Sequence, residues 1–215
     1  MHWKLILLAL LLVTGLVLDQ TGIIDWHRLR EQLDPVTDQW WLPPFLVGLQ
    51  AVFYALALPG AALIPIVALL YRPLPATLII VAGGVAGALA ARYAALGLGS
   101  TGAQQTTRSA TFRLLQRNSD LLPLCLVRIL PGFPHSVINY GCGLLQVPPG
   151  RFALAAALGF AAKGYLYAAA IYRVGEADDP ADLVQFETLW PLLMLTVLLA
   201  AGRLATKYWQ KKRGK

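Results

Sequence analysis

Charge is scarce in this chain, and the scarcity is uneven. Of 215 residues, 13% are Asp, Glu, Lys or Arg and 57% are hydrophobic. A soluble domain carries about 25% charged residues, so the balance excludes an ordinary water-soluble domain. Cysteine is nearly absent. Cys125 and Cys142 both stand in apolar stretches without metal-ligand spacing and read as small hydrophobes. The histidines, His2, His27 and His135, are too scattered to hold a metal. No phosphate-binding G-x-x-x-x-G-K-[ST], no G-x-S-x-G and no H-E-x-x-H occurs. Hydrolysis within a membrane would need a paired acid or a nucleophile, and neither presents itself. The net charge of +7 invites a nucleic-acid reading, but no basic patch with interleaved aromatics stands outside the apolar segments. No enzyme activity, no cofactor, no metal and no nucleic-acid partner is expected.

What remains is a polytopic membrane protein, with mean hydropathy +0.59. Leu5 to Leu18 is a short apolar run after Lys4, without a small-x-small cleavage pattern behind it, and reads as an uncleaved anchor. Trp26, Trp40 and Trp41 flank the next apolar segment as interfacial anchors. Leu42 to Tyr71 then carries no charge over 30 residues, too long for one span of about 20 residues and too short for two. Leu58-Pro59-Gly60 breaks it near the middle. A hairpin turning at Pro59 and Gly60 is expected, with a single kinked span as the other solution. Leu74 to Gly97 follows, about 36 Å if helical, with Gly83, Gly84 and Gly87 permitting close packing, either internal or between copies. Ser100 to Asp120 is polar and basic, with Arg108, Arg113 and Arg117 near Phe112, Leu114 and Leu115, and reads as a helix at the headgroups or a solvated loop. Leu121 to Val147 is a second broken apolar segment; Pro149 to Ile171 and Leu189 to Leu204 are further spans.

Basic residues crowd 98–120 and 207–215, whereas 19–41 and 173–187 are acid-rich. Lysine and arginine mark the cytoplasmic side. Basic segments inside and acidic ones outside require four crossings and two hairpins that return to the side they entered. The expected fold is therefore all-α: four transmembrane helices plus two re-entrant helical hairpins. Leu58-Pro59-Gly60, Pro75 and a span are echoed by Leu130-Pro131-Gly132, Pro148-Pro149 and a span, which suggests an inverted repeat. Three sections follow: an anchor and outer loop over 1–41, a core over 42–172, and a loop, last helix and basic tail over 173–215. Both termini are expected in the cytoplasm of a bacterial-type inner membrane.

The stretch from Arg128 to Leu144 concentrates the unusual residues. Arg128 precedes the Pro131-Gly132 break, Pro134 and His135 follow, and Asn139 lies in the returning arm. Arg92 and Lys163 stand inside the spans that follow the two hairpins. A charge at the helix centre costs about 2.5–3.5 kcal/mol on insertion scales, and no acid accompanies these three; Asp120 at the segment edge is the nearest. The cations would cradle an anionic group, helped by half-helix N-termini and by the planar guanidinium fork. The structural alternatives are snorkelling of Arg92, carbonyl capping by Arg128, a backbone-satisfying Asn139 and a plain hydrogen-bonding His135.

The pattern R-x-x-P-x-x-P-x-x-x-x-N-Y-x-x-G-L, formed by Arg128, Pro131, Pro134, Asn139, Tyr140, Gly143 and Leu144, resembles the core signature of the DedA superfamily. This is also the VTT-domain or SNARE-associated Golgi protein family, and the Asn-Tyr pair is closer to its Tvp-like branch. Phe152 fits the aromatic that begins the next helix, and the resemblance spans residues 45 to 172. It implies two facing re-entrant hairpins and a role in lipid movement across bilayers, including phospholipid scrambling and return of polyprenyl-phosphate carriers. Two features depart from the DedA branch: the acidic residue of the first hairpin is missing, and Pro134 replaces a second arginine. Only Arg128 carries over directly. The expected partners are membrane lipids with anionic phosphate headgroups. A small-solute or ion carrier using the same site, and a non-transporting scaffold, are the alternatives.

Overall fold

The computed structural model describes residues 33, 35–97, 107, 109–117, 119–130, 133–175 and 185–211. The chain divides into two units, Met1–Gln39 and Trp40–Lys215. In the first, residues 35–37 are helical and the Gln39 side chain donates to the Pro35 carbonyl at 3.0 Å. The anchor expected over 5–18 lies outside the described residues, as do the acidic residues 176–184 and the last part of the basic tail.

The regular elements among the described residues of the second unit are all helices: α1 (Leu42–Ala55), a 3-10 turn (Gly60–Ala62), α2 (Leu63–Leu70), α3 (Pro73–Gly97), α4 (Ala110–Arg117), α5 (Leu121–Ile129), α6 (His135–Leu144), α7 (Pro149–Gly175) and α8 (Phe186–Lys211). Two of them, α3 and most of α7, are long and apolar enough to cross a membrane. Proline sets many of the boundaries, because its fixed φ suits a first turn and it has no N–H to leave unpaired. Pro43 and Pro44 open α1, Pro73 opens α3 and Pro149 opens α7. Pro134 precedes α6, and α5 stops one residue before Leu130.

The first break is wider than Pro59-Gly60. Helix α1 ends in a Schellman motif, with Leu58 N–H on the Phe53 carbonyl at 2.8 Å and Ala57 N–H on Tyr54 at 3.3 Å. Ala57 is the left-handed residue, φ 60°. Gly60 serves space instead, since a Cβ there would stand 3.0 Å from the Tyr54 ring. The same motif closes α6, where Val147 N–H reaches Cys142 at 3.0 Å, Gln146 N–H reaches Gly143 at 2.9 Å, and Gln146 has φ 52°. Pro131 and Gly132, and with them the second turn, lie outside the described residues.

The two long helices pack on one another and run antiparallel. Arg72 to Pro75 and Tyr172-Arg173 line one cavity, joining the start of α3 to the end of α7. At the far end, Arg92 of α3 bonds the Val147 carbonyl just ahead of α7. The arms are distributed evenly around this pair. The first helix of each broken segment packs on the long helix that follows it, α1 on α3 and α5 on α7. The second arm crosses to the other long helix, α2 on α7 and α6 on α3. Close approach depends on glycine: a Cβ at Gly87 would meet the Ala51 carbonyl oxygen at 2.6 Å, and one at Gly83 the Gln50 Oε1 at 2.5 Å. The glycine face over 83–87 therefore seats α1 and α7 rather than standing free. The amphipathic α4 also packs inward: its buried Phe112 and Leu115 lie against Gly141 of α6, so protein, not a headgroup layer, covers its apolar face.

Candidate functional site

A full charge is sealed into the core against the first half of α7. Arg128, in the last turn of α5, is 1% exposed. Its stem fits because α7 has glycine opposite: a Cβ at Gly159 would stand 2.6 Å from the Arg128 Cβ. The guanidinium lies over the Phe152 ring at 4.6 Å and near Phe160 at 5.9 Å, both rings on α7. Nη2 donates to Asn139 Oδ1 of α6 at 3.1 Å. A desolvated cation–π contact contributes about 2 kcal/mol, and a hydrogen bond to a charged group about 1.5–3 kcal/mol. Together they offset the ~2.5–3.5 kcal/mol insertion cost of the cation. Donor capacity is left over, because Nε and Nη1 have no hydrogen-bond partner.

The two broken segments meet here. Tyr54 near the end of α1 and His135 at the start of α6 lie with their ring centroids 5.7 Å apart. Both pack on Phe160, at 5.2 Å and 5.5 Å, the histidine nearly parallel to the ring. Phe160 occupies a notch at Gly84, where a Cβ would stand 2.6 Å from its ring. Around this point Tyr54 Oη, His135 Nδ1 and Asn139 Nδ2 are buried without a partner. Gln50, one turn earlier on α1 and wholly buried, has both amide atoms unpartnered. Burying such groups unpaired costs about 1–3 kcal/mol each, so each calls for a further partner, a bound water or a ligand.

Lys163 lies one turn beyond Phe160 on α7, partly buried. Neither Lys163 nor Arg128 has a carboxylate partner among the described residues. Asp120 instead pairs with Arg151 at 3.4 Å, both exposed. No three His, Cys, Asp or Glu come together among the described residues.

The other expected residues have different company. Arg92 gives Nε and Nη2 to the Val147 carbonyl at 3.1 and 2.7 Å, which satisfies backbone released where α6 ends. Tyr140 donates its hydroxyl to the Ala55 carbonyl of α1 at 2.6 Å, tying one hairpin to the other. Gly143 lets α6 approach α3, since a Cβ there would strike the Arg92 carbonyl oxygen. Pro134 sets the start of α6. Arg128 and Asn139 thus bond to one another, with Lys163 further along α7; Arg92, Tyr140 and Gly143 hold the frame. Gln50, Tyr54, Gly159 and Phe160 were missed by sequence reasoning. Gln50 carried a usable signal as an amide inside an uncharged apolar segment; the others carried none.

An all-helical membrane-type domain with an arginine of its second broken segment sealed against a long helix is the class so defined. Residues 58–173 match the family model of the VTT domain. The chain belongs to the VTT-domain, or DedA, family, whose members are membrane-associated and transporter-like. No curated protein and no solved structure matches it.

Proposed function

We propose that this protein moves lipids with phosphate headgroups between the two leaflets of a bacterial inner membrane. The observation that carries the reading is Arg128: a buried guanidinium packed on α7, without a carboxylate partner among the described residues, with two donor nitrogens unspent. A phosphate oxygen pair is the natural complement of those N–H groups. Lys163 would add a second cation, and His135 Nδ1 and Asn139 Nδ2 further polar contacts.

The topology that suits this role has both hairpins re-entrant. Helix α1 has 14 residues and α2, α5 and α6 have 8 to 10, lengths of about 12–21 Å against a core of about 30 Å. Each arm would reach the middle and return, with broken backbone covered by protein as the bilayer requires. Charge bias puts 98–120 and the basic tail in the cytoplasm. The exchange of arms between α3 and α7 is what an inverted repeat produces, and rocking of one repeat against the other would open the site to each leaflet in turn. With no acid beside the cations among the described residues, exchange would run downhill.

The test is reconstitution in vesicles containing a fluorescent phospholipid, with a membrane-impermeant quencher reporting exchange. Exchange should be lost in Arg128→Gln while the thermal transition of the purified protein persists. Exchange at the wild-type rate in a folded Arg128→Gln would overturn the proposal, and uptake of a small anion without lipid exchange would transfer the role to a solute carrier.

A further inference from the structure

A cavity of mixed lining lies away from Arg128, at the end where α3 begins and α7 stops. It has a volume of about 400 Å³ and is lined by Arg72, Pro73, Tyr165, Tyr172, Arg173 and Trp190, among others. Three helices contribute, with α8 supplying Trp190. Tyr165 and Trp190 form one wall, ring centroids 6.4 Å apart. No carboxylate among the described residues lines the cavity, and neither Arg72 nor Arg173 has an ion-pair partner among them.

We propose that this cavity binds the phosphate headgroup of an anionic phospholipid resident in the adjoining leaflet, a site separate from the central one. Two guanidinium groups at one opening supply the charge and fork geometry that a phosphate diester takes. A tyrosine–tryptophan wall is the side-chain chemistry of the membrane–water boundary, one edge polar and one face apolar. Size agrees, since ligand pockets run from about 300 Å³ upward. The surfaces leading away are apolar: Leu74 and Leu78 on α3, and Leu193, Met194 and Val197 on α8, are each more than half exposed. A headgroup held at the arginines would thus have helix faces for its acyl chains, which a free phosphate would leave unused.

Trp190 provides the readout. The full-length protein is placed in phosphatidylcholine vesicles with a minor fraction of lipid brominated on its acyl chains, either phosphatidylglycerol or phosphatidylcholine. Quenching assigned to Trp190 is the difference between the wild type and Trp190→Phe. Brominated phosphatidylglycerol should be preferred, by about fivefold for each arginine in contact. The preference should vanish in Arg72→Gln/Arg173→Gln, whose exposed side chains leave the fold intact, and should survive Arg128→Gln, which separates this site from the central one. Equal quenching by the two lipids, or a preference surviving the double replacement, overturns the proposal. So does loss of the preference when inorganic phosphate is added at constant ionic strength, since the ion alone would then be the ligand.

Discussion

The Tyr140 hydroxyl donates to the Ala55 carbonyl at 2.6 Å, across 85 positions of sequence. Ala55 is the last residue of α1, where the chain turns and carbonyls lose their helical partners. One side chain of the second hairpin therefore satisfies the broken end of the first. Arg92 does the same for Val147 at the end of α6. Each broken segment is completed from outside itself, so neither is expected to be stable alone.

Removing that tie should loosen the junction between the hairpins. Tyr140→Phe leaves the Ala55 carbonyl without its donor, a loss of about 1–3 kcal/mol. A lower thermal midpoint and faster hydrogen exchange around α1 and α6 should follow. An unchanged midpoint and exchange pattern would remove the hydroxyl from the account.

The two buried arginines should separate by phenotype. Arg92→Gln forfeits a charged pair of bonds to one carbonyl, and stability should fall by about 1.5–3 kcal/mol. Arg128→Met removes a cation with unspent donors, and stability should hold or rise, while lipid exchange in vesicles disappears. Equal destabilisation by both would place Arg128 among the frame residues.

Gly159→Ala should be severe. Its new Cβ would meet the Arg128 Cβ at 2.6 Å, and overpacking of this kind costs about 1–3 kcal/mol. Arg128→Ala should not rescue it, because alanine keeps the atom that is struck; Arg128→Gly should. Thermal unfolding of Gly159→Ala alone and combined with each Arg128 replacement checks this, and rescue by alanine would contradict the geometry.

Gly87→Ala distinguishes internal packing from self-association. The added Cβ would stand 2.6 Å from the Ala51 carbonyl oxygen, so the thermal midpoint should drop while the mass in detergent, by light scattering, stays as in the wild type. A shift in mass with stability intact would assign the glycine face to a contact between copies.

Labelling with an impermeant thiol reagent tests the hairpin topology. Cysteines replacing Trp41 and Leu74, both exposed, should react from the extracytoplasmic face. Those replacing Ser119 and Gly150 should react only from the cytoplasm. Opposite accessibility within either pair would mean that a hairpin crosses the bilayer.

Much of the helical order was legible in the chain itself. Proline and glycine act through φ and the missing N–H, so the breaks within 42–71 and 121–147 could be read locally. The cation at Arg128 stood out because charge in an apolar segment is expensive wherever it lands. The role of Arg92 was not legible, since capping Val147 depends on a loop 55 positions away. Nor was Ala57, whose left-handed conformation is imposed by the Schellman closure of α1 and not by its own preference. The inward face of α4 was hidden for a similar reason: amphipathicity specifies that a helix covers something apolar, not whether that is lipid or α6.

Sequence alone determined the membrane class, the helix breaks, the family signature and the uncompensated cation, because each follows from local backbone preference or from burial cost per residue. Tertiary structure decided which polar groups stand together. Tyr54, His135 and Phe160 belong to three helices and converge only because glycines at 84 and 159 let α7 approach α3 and α5 closely enough. Such convergence depends on steric fit between residues distant in the chain, and no property of any one of them encodes it.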